Sequence, residues 1–165
     1  MAKKRCGGGR RKTGHSEGIK IHGIFRVQLT EKGRVVGDSG WRKNLVTDTG
    51  FQHYLVENLM AGANSKRVTH MSIGTGTEPG AAHTTMEGEM ASRVTVSTNA
   101  ATTKTAQMTA QFASSVFSTQ GPKTIKNIGL FNTSSAGTLF AGSTYATSQW
   151  NTNQDLNATY QIRFS

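Results

Sequence analysis

Residues 19–30 alternate along nearly their whole length. Ile19, Ile21, Gly23, Phe25, Val27 and Leu29 fall at odd positions, and Lys20, His22, Ile24, Arg26, Gln28 and Thr30 between them. A period of two carries successive side chains to opposite faces of a strand, whereas a helix would scatter these apolar residues around its circumference. The same rhythm returns at 156–164, where Leu156, Ala158, Tyr160, Ile162 and Phe164 oppose Asn157, Thr159, Gln161 and Arg163. Both stretches read as strands with one face in a core and the other in water, which is the pattern of antiparallel sheets.

Turn residues divide the chain into further strands. Glu31-Lys32-Gly33-Arg34 supplies a hairpin turn, and 35–41 returns as the partner strand, with Arg42, Lys43 and Asn44 leading out of it. Strand-like stretches recur at 68–74, 93–97, 105–117, 124–131 and 138–146, and a glycine- and threonine-rich loop occupies 75–85. One segment has a different period. Thr47, Asp48 and Thr49 are helix-capping residues ahead of 51–60, where Phe51, Tyr54, Leu55, Leu59 and Met60 fall at helical spacing, and Gly62 can end the helix. Its apolar stripe is expected to pack on a sheet.

At 165 residues the chain can build one core. Only 35% of it is hydrophobic, and Gly, Ser, Thr and Asn are abundant, which suits strands joined by many turns. The expected fold is mostly β. It is an antiparallel β-sandwich of about seven or eight strands with one docked α-helix, preceded by an extended basic N-terminal arm. Residues 1–17 form the arm and 18–165 the single sandwich domain.

Charge is concentrated at one end. Residues 1–45 hold 12 Lys and Arg against 3 acids, a net of +9, while 46–165 hold 7 against 6, a net of +1. The arm carries Lys3, Lys4, Arg5, Arg10, Arg11 and Lys12 around Gly7-Gly8-Gly9 and, taken alone, is too polar to order itself. These six cations are the candidate partner-binding residues. They suit either an acidic protein surface or non-specific contact with nucleic acid, and a solvated tail is the plain alternative. No aromatic lies among residues 1–18 to stack on bases. No apolar run reaches the ~20 residues of a membrane span, and no apolar stretch follows the basic start as in a secretory signal.

Reactive constellations are sparse. Cys6 is the single cysteine, and joining it to His15 and His22 matches no familiar zinc spacing. The stretch Gly7 to Thr13 fails as a phosphate loop because Arg11 stands where a glycine must precede Lys12. Glu87 and Glu89 would share a face if extended, which leaves a glycosidase-like pair as a third-ranked reading. Neither catalytic residues nor a cofactor are expected.

The order of short patterns carries more. Asn44-Leu45-Val46-Thr47-Asp48-Thr49-Gly50 leads into the helix. Gly74-Thr75-Gly76-Thr77-Glu78-Pro79 follows a strand, Glu87 to Arg93 closes the loop, and Ile125-Lys126-Asn127-Ile128-Gly129-Leu130-Phe131 precedes Gly137 to Ala141. Together these resemble a recurring arrangement in small virion structural proteins of tailed bacteriophages, over roughly residues 40–165, with Asn127 standing where that group commonly has an acid. The resemblance implies a structural subunit of a virus particle, assembled in the bacterial host cytoplasm, and carries over no catalytic residue. A minor capsid or cement (decoration) role is the leading expectation, because a DNA-filled shell is an acidic lattice for a basic arm. Its partners would be the major capsid protein or other virion subunits, with self-association, a trimer being the natural guess. A tail, neck or fibre-attachment component is the alternative, and a nucleic-acid-binding packaging module is the rival from another class.

Overall fold

A computed structural model describes residues 19–60, 62–90, 92–117 and 122–165. The first strand, β1 (Ile21–Glu31), buries Gly23, Phe25, Val27 and Leu29, as its alternation requires. Lys32 and Gly33 follow with φ of 48° and 78°, the paired positive angles of a tight hairpin turn, and β2 (Arg34–Asp38) returns along β1. Arg42, Lys43 and Asn44 do not lead out of the hairpin: they begin a third strand, β3 (Arg42–Val46). The chain then continues through one helix of 12 residues, α1, made of Asp48–Gly50, Phe51–Val56 and Glu57–Leu59.

Seven further strands follow: β4 (His70–Gly74), β5 (Val94–Thr95), β6 (Ser97–Thr102), β7 (Thr105–Phe112), β8 (Lys123–Phe131), β9 (Leu139–Trp150) and β10 (Asp155–Phe164). The count is therefore ten rather than seven or eight. The return strand expected at 35–41 is β2, whereas β3 is too short to show a period, and the strand expected at 93–97 is two strands, reaching to 102 and parted by Val96. The stretch 105–117 ends its pairing at Phe112, and Ser114–Phe117 forms a helical turn, α2.

All pairings are antiparallel and run in the order β5-β4-β8-β9-β3-β1-β10-β7-β6, with β2 beside β1. Two places turn this path back on itself. Within β3, Arg42–Asn44 pair with β1 while Leu45 and Val46 pair with β9. At the other side, β5 and β6 stand at opposite ends of the order yet are separated in sequence by Val96 alone, whose N–H donates to Thr69 O at 2.9 Å. The sheet is thus nearly closed around one core. Phe25 stacks on Tyr160 at 5.7 Å and meets Tyr145 edge-on at 5.9 Å, with Met71, Ile73, Ile125 and Ile128 entering from β4 and β8. Strand β8 loses its alternation after Lys126, because residues 75–90 lie over its outer face: Met86, Phe131 and Leu139 form a second small core there. No helix among the described residues is long and apolar enough to cross a membrane.

Candidate interaction surface

Asn44, Thr47, Gly50 and Asn127, among the motif residues singled out in the sequence, make contacts within the fold. Asn44 turns into the core in the space left by Gly23, where a Cβ would lie 1.4 Å from its Oδ1, and its Nδ2 donates to the hydroxyl of fully buried Tyr160 at 2.5 Å. Thr47 has two tasks. Its Oγ1 accepts from Gly50 N at 3.0 Å, capping α1, and donates to Leu139 O at 2.8 Å. Gly50 lets the helix start rest on β9: a Cβ there would stand 2.1 Å from Phe140 O.

The second group of motifs fastens the 75–90 loop to β8 and β9. Asn127, fully buried, donates through Nδ2 to Thr77 O and Glu87 O, each at 3.0 Å. Gly76 permits the close crossing, since its Cβ would be 2.3 Å from Glu87 O. Glu87 and Glu89 do not form a pair, because Gly88 between them has φ of 62° and sends them to different partners. Glu87 accepts from the Thr77 N–H at 3.1 Å and from its hydroxyl, and these bonds hold its carboxyl below the usual range. Glu89 pairs with Arg93, whose guanidinium lies 3.5 Å over the Phe131 ring and donates to Thr133 O at 3.1 Å and to Ala136 O. Among the described residues no cluster of three or more His, Cys, Asp or Glu could hold a metal.

The helix stripe is where structure and expectation part. Only Tyr54 is buried: it packs on Phe140 with centroids 4.9 Å apart, and its hydroxyl donates to Thr138 O. Phe51 is 41% exposed, Val56 48%, Met60 69% and Leu59 89%. Segment Phe51–Val56 is wound as a π-helix, with the Glu57 N–H bonded to Gln52 O. Leu59 is five residues and Met60 six from Tyr54, which places both off the face that Tyr54 buries, and they project from the molecule with Val56.

Phe51 continues into a groove shared with Ile21, Ile24 and Leu45, where Lys43 and Arg163 bring cationic groups. This groove lies at the root of β1, where Lys20 and Ser165 exchange both backbone hydrogen bonds at 2.7 and 2.9 Å. Lys3, Lys4, Arg5, Arg10, Arg11 and Lys12 lie outside the described residues, as do Cys6 and His15. Sequence periodicity could not reveal the exposed ridge, since a helical stripe looks the same whether the cell or the protein's own sheet covers it.

A second concavity opens on the other side of α1. A cleft of about 530 Å³ lies between β6 and residues 66–68, floored by Tyr54, Leu55, Met108, Phe140, Ile162 and Phe164. It is the gap through which the sheet fails to close.

No protein-family model, curated protein or solved structure matches this chain.

Proposed function

We propose that the chain is a structural subunit of a bacteriophage particle, a minor capsid or cement protein that binds neighbouring virion subunits and does no chemistry. The observation that carries this reading is the exposure of Phe51, Val56, Leu59 and Met60 along one helix, with Phe51 bordering an apolar groove that holds Lys43 and Arg163. Several large apolar side chains exposed on one element favour a surface that another protein covers. The order of the short motifs supports the phage assignment. In this reading the near-closed sheet is a flattened sandwich, the layers being β2-β1-β10-β7-β6 and β9-β8-β4-β5 with β3 as the corner between them.

The partner is an acidic surface, in keeping with the net charge of +9 over residues 1–45. Major capsid protein is the leading candidate, with self-association into a trimer as a further contact. Immunogold labelling of purified particles, with an antibody to 155–164, tests this directly. Label spread over the head is the expected result, label confined to one vertex or the tail transfers the role to a tail or neck component, and absence from particles overturns the virion reading. The charge of the same segment favours one rival, a DNA-packaging module. That rival requires affinity for duplex DNA to fall steeply with salt, with a slope of about −0.9 per phosphate neutralised. A flat response removes it.

A further inference from the structure

We propose that the cleft between β6 and residues 66–68 is a strand-addition site for an extended peptide of a partner protein, one that alternates apolar and acidic residues. The inference stands apart from the particle reading and starts from backbone direction. Val96 donates its N–H across the seam to Thr69 O at 2.9 Å, and in a strand every second residue points its N–H and C=O the same way. Thr98 and Ala100 therefore aim their backbone groups into the cleft, while Ser97 and Asn99 face β7, opposite Thr109 and Gln107. Among the described residues β6 pairs with β7 alone, and all six of its residues are exposed.

The opposite wall is drawn away from β6. Lys66 donates its N–H to His53 O at 2.9 Å, and Lys66 O accepts from Asn58 Nδ2 at 2.8 Å, so the chain leaves the sheet to follow α1. Pairing across the seam stops at Thr69 and Val96, and the two segments splay apart from there. What lies between them is a strand edge over an apolar floor, and Thr98 and Ala100 are small enough to leave that floor open. An inserted strand satisfies the free edge, sends alternate side chains to Met108, Phe140 and Ile162, and turns the others outward.

Charge selects the occupant. Lys66 and Arg67 are the charged residues lining the cleft, so outward-facing acidic side chains are matched. The cationic segment of residues 3–12 is repelled for the same reason. A compact apolar ligand fits the floor less well, since it removes water from the Thr98 and Ala100 backbone groups and offers no bond in return.

The test uses the full-length protein and three acetylated hexapeptides: one alternating valine and aspartate, one alternating valine and lysine, and the first again with alternate amides N-methylated. Each is titrated to millimolar concentration and followed by amide hydrogen exchange. The expected result is that the aspartate peptide alone binds and protects the Thr98 and Ala100 amides. A Lys66→Glu, Arg67→Glu variant should lose about tenfold in affinity. Thr98→Pro removes an N–H that points into the seam and makes no bond to β7, so this variant should keep its melting temperature and lose the peptide. Equal binding of the lysine or N-methylated peptide, absence of protection at Thr98 and Ala100, or uptake of decanoate in place of peptide would each overturn the proposal.

Discussion

At the scale of single residues, Asn127 shows how much depends on which atom is a donor. Its amide nitrogen faces two carbonyl oxygens at 3.0 Å, so an ionised carboxylate in its place would set three oxygens against one another in a buried site. Asn127→Asp should cost about 3 kcal/mol near neutral pH. The sign follows from which form survives burial. The new carboxyl would have its folded pKa raised above its unfolded value of about 4, so the deficit is small below that pH and grows as pH rises through it. Melting temperatures of parent and variant between pH 3 and 8 check this, and a gap that does not change with pH would refute it. Arg26 and Asp38 give the opposite sign. The guanidinium hydrogen bonds and the Gly40 N–H hold the Asp38 carboxyl well below the usual range, so its contribution is present above about pH 4 and is lost as pH falls toward its folded value. Asp38→Asn should flatten that part of the acid limb. Arg93 combines an ion pair, a ring contact and two carbonyls, and lysine cannot reproduce that fork. Arg93→Lys should lower stability by about 2 kcal/mol in urea titration.

At the scale of elements, α1 is held at its start and free along its outer face. Thr47→Ala removes a cap and a buried bond to Leu139 O, and should cost about 2–3 kcal/mol. Leu59→Glu, at a site 89% exposed, should shift stability by less than about 0.5 kcal/mol. If the chain has the proposed role, the same substitution should abolish binding to particles, a split that equilibrium unfolding and co-sedimentation together can read. The helix was legible in the sequence from its caps and its 3.6-residue stripe. Its docking was not, because the stripe is broad enough for several faces to meet the sheet, and the one chosen buries Tyr54 against Phe140 and leaves Phe51, Leu59 and Met60 exposed. Strands β1 and β10 were legible over nearly their whole length, since each has one face in the core and the other mostly half-buried and polar. Strand β8 was harder to read past Lys126: both its faces are covered, so Asn127 and Gly129 are as buried as Ile128 and Leu130.

At the scale of the whole molecule, the sheet closes through β3 and through the bend at Val96, and both are properties of pairing between distant segments. The buried core draws on residues from Phe25 to Ile162, so removing residues 1–17 should leave the melting temperature unchanged and, on the proposed role, abolish particle binding. Unchanged binding by the truncated chain would place the contact entirely on the ridge and groove. The residue types and their order were enough to determine a β-rich chain, the inward face of its longest strands, one capped helix and the separation of basic charge from a nearly neutral body. Each of these follows from local periodicity or from composition. The tertiary structure alone decided that Glu87 and Glu89 part company, that the Asn44, Thr47 and Asn127 motifs are internal fastenings, and that a seam stays open beside β6. Those outcomes depend on which distant backbone groups come within about 3 Å of one another, and one-dimensional spacing does not encode that distance.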